Sequence, residues 1–250
     1  MCSTHSVREV KLSNTKPKIA LIDGDIVCYR IGFASEQAPE WACAARLDEF
    51  ILSTLQGVGC SEYEGYLTGQ GNFRETIAVT APYKGQRSGV KPIHYNFIRD
   101  YLQSKWEFVV VDGEEADDRI AIRATSLADE GIICSIDKDF DQIPGWKYNF
   151  VKGITYYVTE REGIKAFYRQ ILTGDRIDNV IGLRGIGPVK ANKILDGASG
   201  ELDCYQRVLQ EYAGEEQRVL ENGRLLWLRR YHGQLWEPPS LSESSTSEGN

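Results

Sequence analysis

Three short apolar runs in this chain each end on a carboxylate. KIALID closes on Asp23, EFVVVD closes on Asp112 with EEADD (114–118) directly behind it, and GIICSID closes on Asp137 with Asp139 two residues later. Apolar runs of this length bounded by polar residues read as buried strands, and YEGYLT (63–68) reads the same way, with KYNFV and TYYV as weaker candidates. The stretches between them, 40–56, 92–105 and 116–129, space their apolar residues as helices do. Strand and helix in alternation predict an α/β domain with a largely parallel sheet. After about Glu160 the strand signal fades, and REGIKAFYRQILTG, GPVKANKIL, ELDCYQRVLQEYAG and EEQRVLENGRLLWLRR predict four helices. The expected organisation is an α/β domain over 1–160, a smaller helical lobe over 161–236, and a disordered tail over 237–250. That tail, EPPSLSESSTSEGN, is polar, acidic and free of aromatics, a composition that cannot form a core.

The carboxyl ends of parallel strands lie along one edge of a sheet, where loops gather residues distant in sequence. DGD (23–25), EADD (115–118), DKD (137–139) and DRID (175–178) are expected to converge on that rim. Each alone is explained equally well by helix capping, because Asp and Glu favour the first turn and the cap. Together they concentrate negative charge that needs counter-ions, and hard divalent cations with oxygen ligands, Mg²⁺ or Mn²⁺, are the natural ones. Two such ions roughly 4 Å apart form the clamp used in phosphodiester chemistry. The three histidines, at 5, 94 and 232, are remote from the acidic motifs, which argues against His-based catalysis.

The net charge of −7, from 29 basic and 36 acidic residues, speaks at first against a polyanionic partner. The bases are unevenly spread, however. Lys84, Arg87, Lys91, Arg99 and Lys105 face Asp100 alone between Tyr83 and Lys105, and Arg184, Lys190 and Lys193 lie in an acid-free segment. Such segments fit phosphate contacts, and solvated helix faces are the other reading. In GLRGIGPVKANKIL, Gly185 and Gly187 admit close approach of a ligand to the backbone, and the following helix N-terminus can meet a phosphate. Six cysteines, with no CxxC pair and no His at zinc spacing, imply neither disulfides nor zinc. No apolar run reaches the roughly 18 residues of a membrane helix and no secretory leader is visible, so a soluble, cytoplasmic, monomeric protein is expected.

LIDGD, GNFRETIAVTAPYKGQR, GEEADD, SIDKDFDQI and GDRIDNVIGLRGIGPVKANKIL, in this order from Asp23 to Leu195, resemble the 5′-nuclease family: flap endonucleases, the 5′-nuclease domain of bacterial DNA polymerase I, and small bacteriophage 5′-3′ exonucleases. The resemblance implies a Rossmann-like (PIN-like), mostly parallel sheet flanked by helices, with a C-terminal helix-three-turn-helix lobe. It implies a first metal site from Asp23, Glu115 and Asp117 with Asp118 adjacent, and a second from Asp137, Asp139, Asp175 and Asp178. Lys84 and Arg87 match basic residues at the base of a helical arch, here about 83–105, that hold the scissile phosphate or the 5′ strand. The GLRGIGPVK turn matches a duplex-backbone grip, often around K⁺, so Gly185, Gly187, Lys190 and Lys193, together with Lys91, Arg74 and Tyr83, are expected to meet DNA; core packing is the other reading of Tyr83. The implied activity is Mg²⁺-dependent 5′-3′ exonuclease or structure-specific flap endonuclease cleavage of DNA at 5′ ends, flaps or junctions, RNA–DNA hybrids included, in the host cytoplasm if the chain is phage-encoded. One departure stands out. Many relatives carry a further Asp where this chain has Gly69, which leaves the first site one ligand short.

Other classes account for less of the sequence. LIDGDIV also resembles the start of haloacid-dehalogenase-type phosphatases, but that reading leaves YKGQR and the Gly-x-Gly turn unexplained. A non-catalytic nucleic-acid-binding module would bring many carboxylates to a polyanion without metal. A PIN-like ribonuclease shares the acidic rim and normally lacks the Gly-x-Gly lobe.

Overall fold

A computed structural model describes residues 16–86 and 89–240 of the 250-residue chain. The first strand, β1 (Ile19–Asp23), passes without a loop into α1 (Gly24–Ala34), because the Asp23 carboxylate caps the helix by accepting from the Ile26 N–H at 3.1 Å. After α2 (Glu40–Val58), Gly59 at φ 69° supplies the left-handed residue that stops the helix. There follow β2 (Glu62–Thr68), the single turn α3 (Arg74–Ile77), α4 (Tyr95–Trp106), β3 (Val109–Val111), α5 (Ala116–Leu127) and β4 (Gly131–Cys134). A 3₁₀ turn at Lys138–Gln142 leads to the hairpin of β5 (Gly145–Asn149) and β6 (Ile154–Val158).

The sheet runs in the order β3-β2-β1-β4-β5-β6, parallel throughout except for the last pair. Strand order reverses between β1 and β4, which is where a crevice opens beyond the carboxyl ends of a parallel sheet. The central strands bury both faces. Ile22, Leu67, Ile132 and Cys134 pack against α1, α2 and α4, while Leu21, Tyr66, Val111 and Ile133 pack against α5. This two-sided burial is why the strands read as continuous apolar runs.

A capping box formed by Thr159 and Glu162 starts α6 (Glu160–Thr173). The chain then forms the two-residue strands β7 (Gly174–Asp175) and β8 (Val180–Ile181), followed by α7 (Pro188–Leu195), α8 (Glu201–Glu211) and α9 (Glu216–Leu226). These helices share a hydrophobic cluster of their own, built around Phe167, Tyr168, Ile171, Val208, Val219 and Trp236.

The mostly parallel, helix-flanked sheet is as expected from sequence. The helix α1 has no counterpart in the sequence reading, and TYYV, a weaker strand candidate, forms β6 with an antiparallel direction that the reading does not contain. Within the segment expected to arch, α4 is a packed helix whose Ile98 and Leu102 are buried in the sheet-facing core. Arg87 and residues 241–250 of the expected tail lie outside the described residues.

Candidate active site

The four carboxylates of EEADD have two different fates. Glu114 receives Arg229 at 3.0 Å and Arg119 at 2.7 Å, and Asp118 receives a two-pronged grip from Arg74 at 2.5 and 2.9 Å. The remaining pair, Glu115 and Asp117, belongs to the rim. Half of the apparent charge excess is therefore neutralised by arginines distant in sequence, before any metal is invoked. Asp118 is 0% exposed with both oxygens engaged by Arg74, so it stands here as a buried partner for arginine beside the rim.

Arg74 is buried with it. It is 1% exposed, and besides Asp118 it donates to the carbonyls of Leu225 and Trp227, each at 2.8 Å. Its guanidinium ties α3 and α5 to the C-terminal end of α9 and the residue that follows it.

The rim gathers the other predicted carboxylates. Asp23, at the end of β1, also accepts from the Ser135 hydroxyl at 2.8 Å, and burial followed by the charges of Asp117 and Asp25 pushes its carboxyl well above the ordinary range. Burial and the nearby Asp118 and Asp137 raise Asp117 to about 7 against the pull of Lys84. Asp137 is likewise raised by burial and by Asp178 and Asp175, although the Asp139 N–H donates to it at 2.9 Å. Asp139 rises to about 8 through burial and the charges of Asp137, Asp175, Asp178 and Asp117, with Gln170 donating to one of its oxygens. Asp175 closes the β7–β8 turn by accepting from Ile177 at 2.6 Å and Asp178 at 3.0 Å.

Tyr83 and Lys84 stand between the two halves of this rim. The Tyr83 hydroxyl lies 2.8 Å from Glu115 Oε2 and 2.7 Å from Asp178 Oδ2, and it has a single proton to share between them. The Lys84 ammonium is bonded to Glu115 and lies 3.8 Å from Asp178, while its backbone N–H donates to the Asp178 carbonyl at 2.9 Å. Lys84 occupies the left-handed region at φ 54°, a conformation held here by those contacts. Tyr83 therefore joins the rim by its hydroxyl while its ring packs against the helical cluster.

The departure at Gly69 has a steric basis. A Cβ there would lie 2.1 Å from Asp112 Oδ1 and 2.7 Å from the Val111 carbonyl oxygen. The Asp112 carboxylate, anchored by the Gln70 N–H at 2.7 Å, fills the place where a side chain at 69 would begin. Asp25 stands at the same end of β2, where it accepts from the Thr68 N–H at 3.2 Å and pairs with Arg99 at 3.3 Å.

The donor set is entirely oxygen, with neither His nor Cys, a chemistry suited to divalent cations that favour oxygen ligands. Among the described residues no three His, Cys, Asp or Glu side chains already stand close enough to enclose one ion. The carboxylates share one electrostatic field with Lys84 bonded among them, and closing on a cation would relieve their mutual repulsion. At the remaining predicted contacts, Gly185 turns the chain at φ 79° and Gly187 begins α7 with open space around its Cα, with Lys190 and Lys193 exposed just beyond. Lys91 is exposed with its ammonium 4.5 Å from the Tyr95 ring centre. Ser135 and Gln170 were missed from sequence; the place of Ser135 two residues before Asp137 was a usable signal, whereas Gln170 carried none.

A sheet of this order with an acidic crevice at its switch point defines a class of fold, the PIN-like α/β fold of 5′-nucleases. No family model matches the chain. Two solved structures of the bacteriophage T5 D15 protein superpose on it with TM-scores of 0.66. One, co-crystallised with metal ions, is 18% identical and covers 84% of this chain and 89% of its own. The other is the T5 D15 flap endonuclease in a pseudo-enzyme-product complex with DNA and metal ions, 17% identical over 84% of this chain and 88% of its own. The thermostable DNA polymerase I of Thermus aquaticus is 27% identical over 210 residues, which is 74% of this chain and 24% of the polymerase. The chain thus spans about a quarter of that relative's length. The sequence resemblance to 5′-nucleases holds as a resemblance of fold. No helix among the described residues is long and apolar enough to cross a membrane.

Proposed function

We propose that this chain is a divalent-metal-dependent 5′-nuclease that hydrolyses DNA phosphodiester bonds near 5′ ends, flaps or junctions and leaves 5′-phosphate and 3′-hydroxyl ends. The observation that carries the proposal is the set of buried, mutually repelling carboxylates Asp23, Asp117, Asp137 and Asp139 at the carboxyl ends of a parallel sheet. Such a set is costly without cations and chemically matched to hard ones. Asp23, Glu115 and Asp117 would hold one ion, and Asp137, Asp139, Asp175 and Asp178 a second. When bound, the ions supply an activated water and neutralise charge on the phosphate.

The chain's own residues do the rest. Lys84 places a positive charge among the rim carboxylates, where a scissile phosphate must approach. Arg87, three residues on, is assigned to the same strand. Exposed Lys190 and Lys193, with the backbone N–H groups that begin α7, form a grip on the duplex backbone, with K⁺ as a candidate bridging ion. Recognition through backbone and shape makes binding fall as salt rises. RNA–DNA hybrids fall within the same substrate class.

The test is cleavage of a 5′-labelled flap DNA beside a small phosphate ester, each with Mg²⁺ and with EDTA. Cleavage of the DNA alone, and only with metal, is expected; hydrolysis of the ester alone would point to a phosphatase and end this reading. Asp137→Asn and Asp139→Asn are expected to abolish cleavage while DNA binding survives. Unaltered turnover in both would remove the site. Lys84→Ala is expected to slow turnover more than it weakens duplex binding, and Lys190→Ala to do the reverse.

A further inference from the structure

The backbone leading from α3 to Lys84 is held at two places. Near Lys84 the hold comes from the turn after β7, where the Asp178 carbonyl accepts from the Lys84 N–H at 2.9 Å and Asn179 Nδ2 donates to the Pro82 carbonyl at 2.8 Å. At the other place the hold comes from a single side chain of α9. One oxygen of Glu221 accepts from the Val79 N–H at 2.8 Å and the Thr80 N–H at 2.7 Å, and its other oxygen accepts from the Thr80 hydroxyl at 2.6 Å. Despite burial, which acts the other way, these bonds from Thr80 and Val79 keep the Glu221 carboxyl below its ordinary range.

The same face of α9 also fixes the opposite half of the rim. Arg218 reaches the Thr80 hydroxyl and Glu221 and donates to the Ile181 carbonyl at 2.7 Å. Asn222 donates to that same carbonyl at 2.9 Å. Residues 218, 221 and 222 lie on one helical face, so one helix sets the separation between the 79–84 strap and β8, which begins two residues after Asp178. A strap released at Thr80 keeps only the hold at Pro82 and Lys84, so the Lys84 side chain loses one of the two fixed points that aim it at the rim.

We propose that Glu221 is a positioning residue: by holding Val79 and Thr80 it sets where Lys84 meets Glu115 and Asp178, and so governs the rate of phosphodiester cleavage without governing DNA affinity. This rests on the nuclease reading above. The experiment is single-turnover cleavage of the 5′-labelled flap DNA in Mg²⁺, with DNA affinity measured by fluorescence anisotropy, for the unaltered protein, E221A, E221Q and Thr80→Val. E221A is expected to slow cleavage about 10- to 100-fold, the scale of a misplaced catalytic group, with affinity changed by no more than about two-fold. E221Q retains an oxygen that accepts from both backbone N–H groups and is expected to recover most of the rate. Hydrogen exchange over residues 79–86 should quicken in E221A and stay slow in E221Q. Thr80→Val, which removes the hydroxyl shared by Glu221 and Arg218, is expected to slow cleavage several-fold at unchanged affinity, and it keeps the test decisive if E221A does not fold.

Equal rates in the unaltered protein and the folded variants, E221Q as slow as E221A, or a parallel loss of rate and affinity would each overturn this inference alone. No cleavage by the unaltered protein would overturn the nuclease reading, and this inference with it.

Discussion

Replacing Arg74 by methionine tests whether the acidic cluster is held by arginine or awaits a ligand. The guanidinium makes two bonds to Asp118, at 2.5 and 2.9 Å, a longer one to Glu115 at 3.4 Å, and one each to the Leu225 and Trp227 carbonyls, both at 2.8 Å. Burial disfavours its charge, yet Asp118 more than offsets that and keeps Arg74 more firmly protonated than an ordinary arginine. Methionine fills much of the space but leaves a carboxylate at 0% exposure whose remaining hydrogen bonds come from the backbone N–H groups of Glu115 and Arg229, at 3.3 and 3.1 Å. Removing one partner of a buried ion pair costs about 3 to 5 kcal/mol. Two orphaned carbonyls add about 1 kcal/mol or more each. The expected loss is about 5 to 7 kcal/mol, comparable to the whole stability of a marginal domain. Urea unfolding followed by circular dichroism reads it directly. Arg74→Met combined with Asp118→Leu removes both charges and should recover most of the loss, because apolar replacement of an entire buried pair is often neutral. A single variant that loses less than about 1 kcal/mol, or one that folds normally and loses DNA affinity, would refute the structural assignment of Arg74 and return it to the DNA-contacting set.

Arg74 also marks where sequence ceases to be sufficient. The rim was legible because each strand and the carboxylate that ends it are contiguous: KIALID carries Asp23 and GIICSID carries Asp137, and parallel strands necessarily bring such ends to one edge. The split within EEADD was not legible, because the arginines that claim Glu114 and Asp118 include Arg229 and Arg74, which come from beyond α9 and from α3. A local pattern reports how much charge is present and says nothing of a neutralising partner a hundred residues away. The same applies to Glu221, which reads as an ordinary helix-face acid until α9 is seen against Thr80. Helix α1 was overlooked because it follows β1 with no intervening turn residues, its cap being the same Asp23 that marks the rim. At Gly69 the sequence announced a missing ligand, but only packing shows why none fits there.

Two further perturbations probe parts of the structure away from Arg74. Lys147, 3% exposed on β5, is lowered from 10.5 to about 7, mainly by burial and secondarily by Arg230, against the opposing pull of Asp141. Because the folded state holds this proton less tightly than the unfolded chain, its cost is fully present below about pH 7 and is relieved as pH rises toward 10.5. Each tenfold loss of proton affinity on folding corresponds to about 1.4 kcal/mol, so Lys147→Met should stabilise the protein by several kcal/mol at pH 7, with the advantage shrinking toward pH 10. An advantage constant across that range in urea titrations would contradict a buried lysine that gives up its proton this readily. Gly69→Asp asks whether the first proposed metal site can take the further carboxylate that the family resemblance implies at this position. The new Cβ would meet Asp112 Oδ1 at 2.1 Å and the Val111 carbonyl at 2.7 Å, so Asp112 must abandon the Gln70 N–H and the backbone must shift as well. Overpacking of this kind costs about 1 to 3 kcal/mol, and a second carboxylate beside Asp112 adds repulsion. Gly69→Asp is expected to lower the melting temperature without tightening Mn²⁺ binding followed by electron paramagnetic resonance. Asp112→Ala added to it should recover part of the stability, because it removes the clash with the Asp112 carboxylate and leaves the Val111 carbonyl and the Val110 side chain in the way. A single variant as stable as the unaltered protein, with tighter Mn²⁺ binding, would mean that the end of β2 is free to move and that Asp112 does not define the boundary of the site.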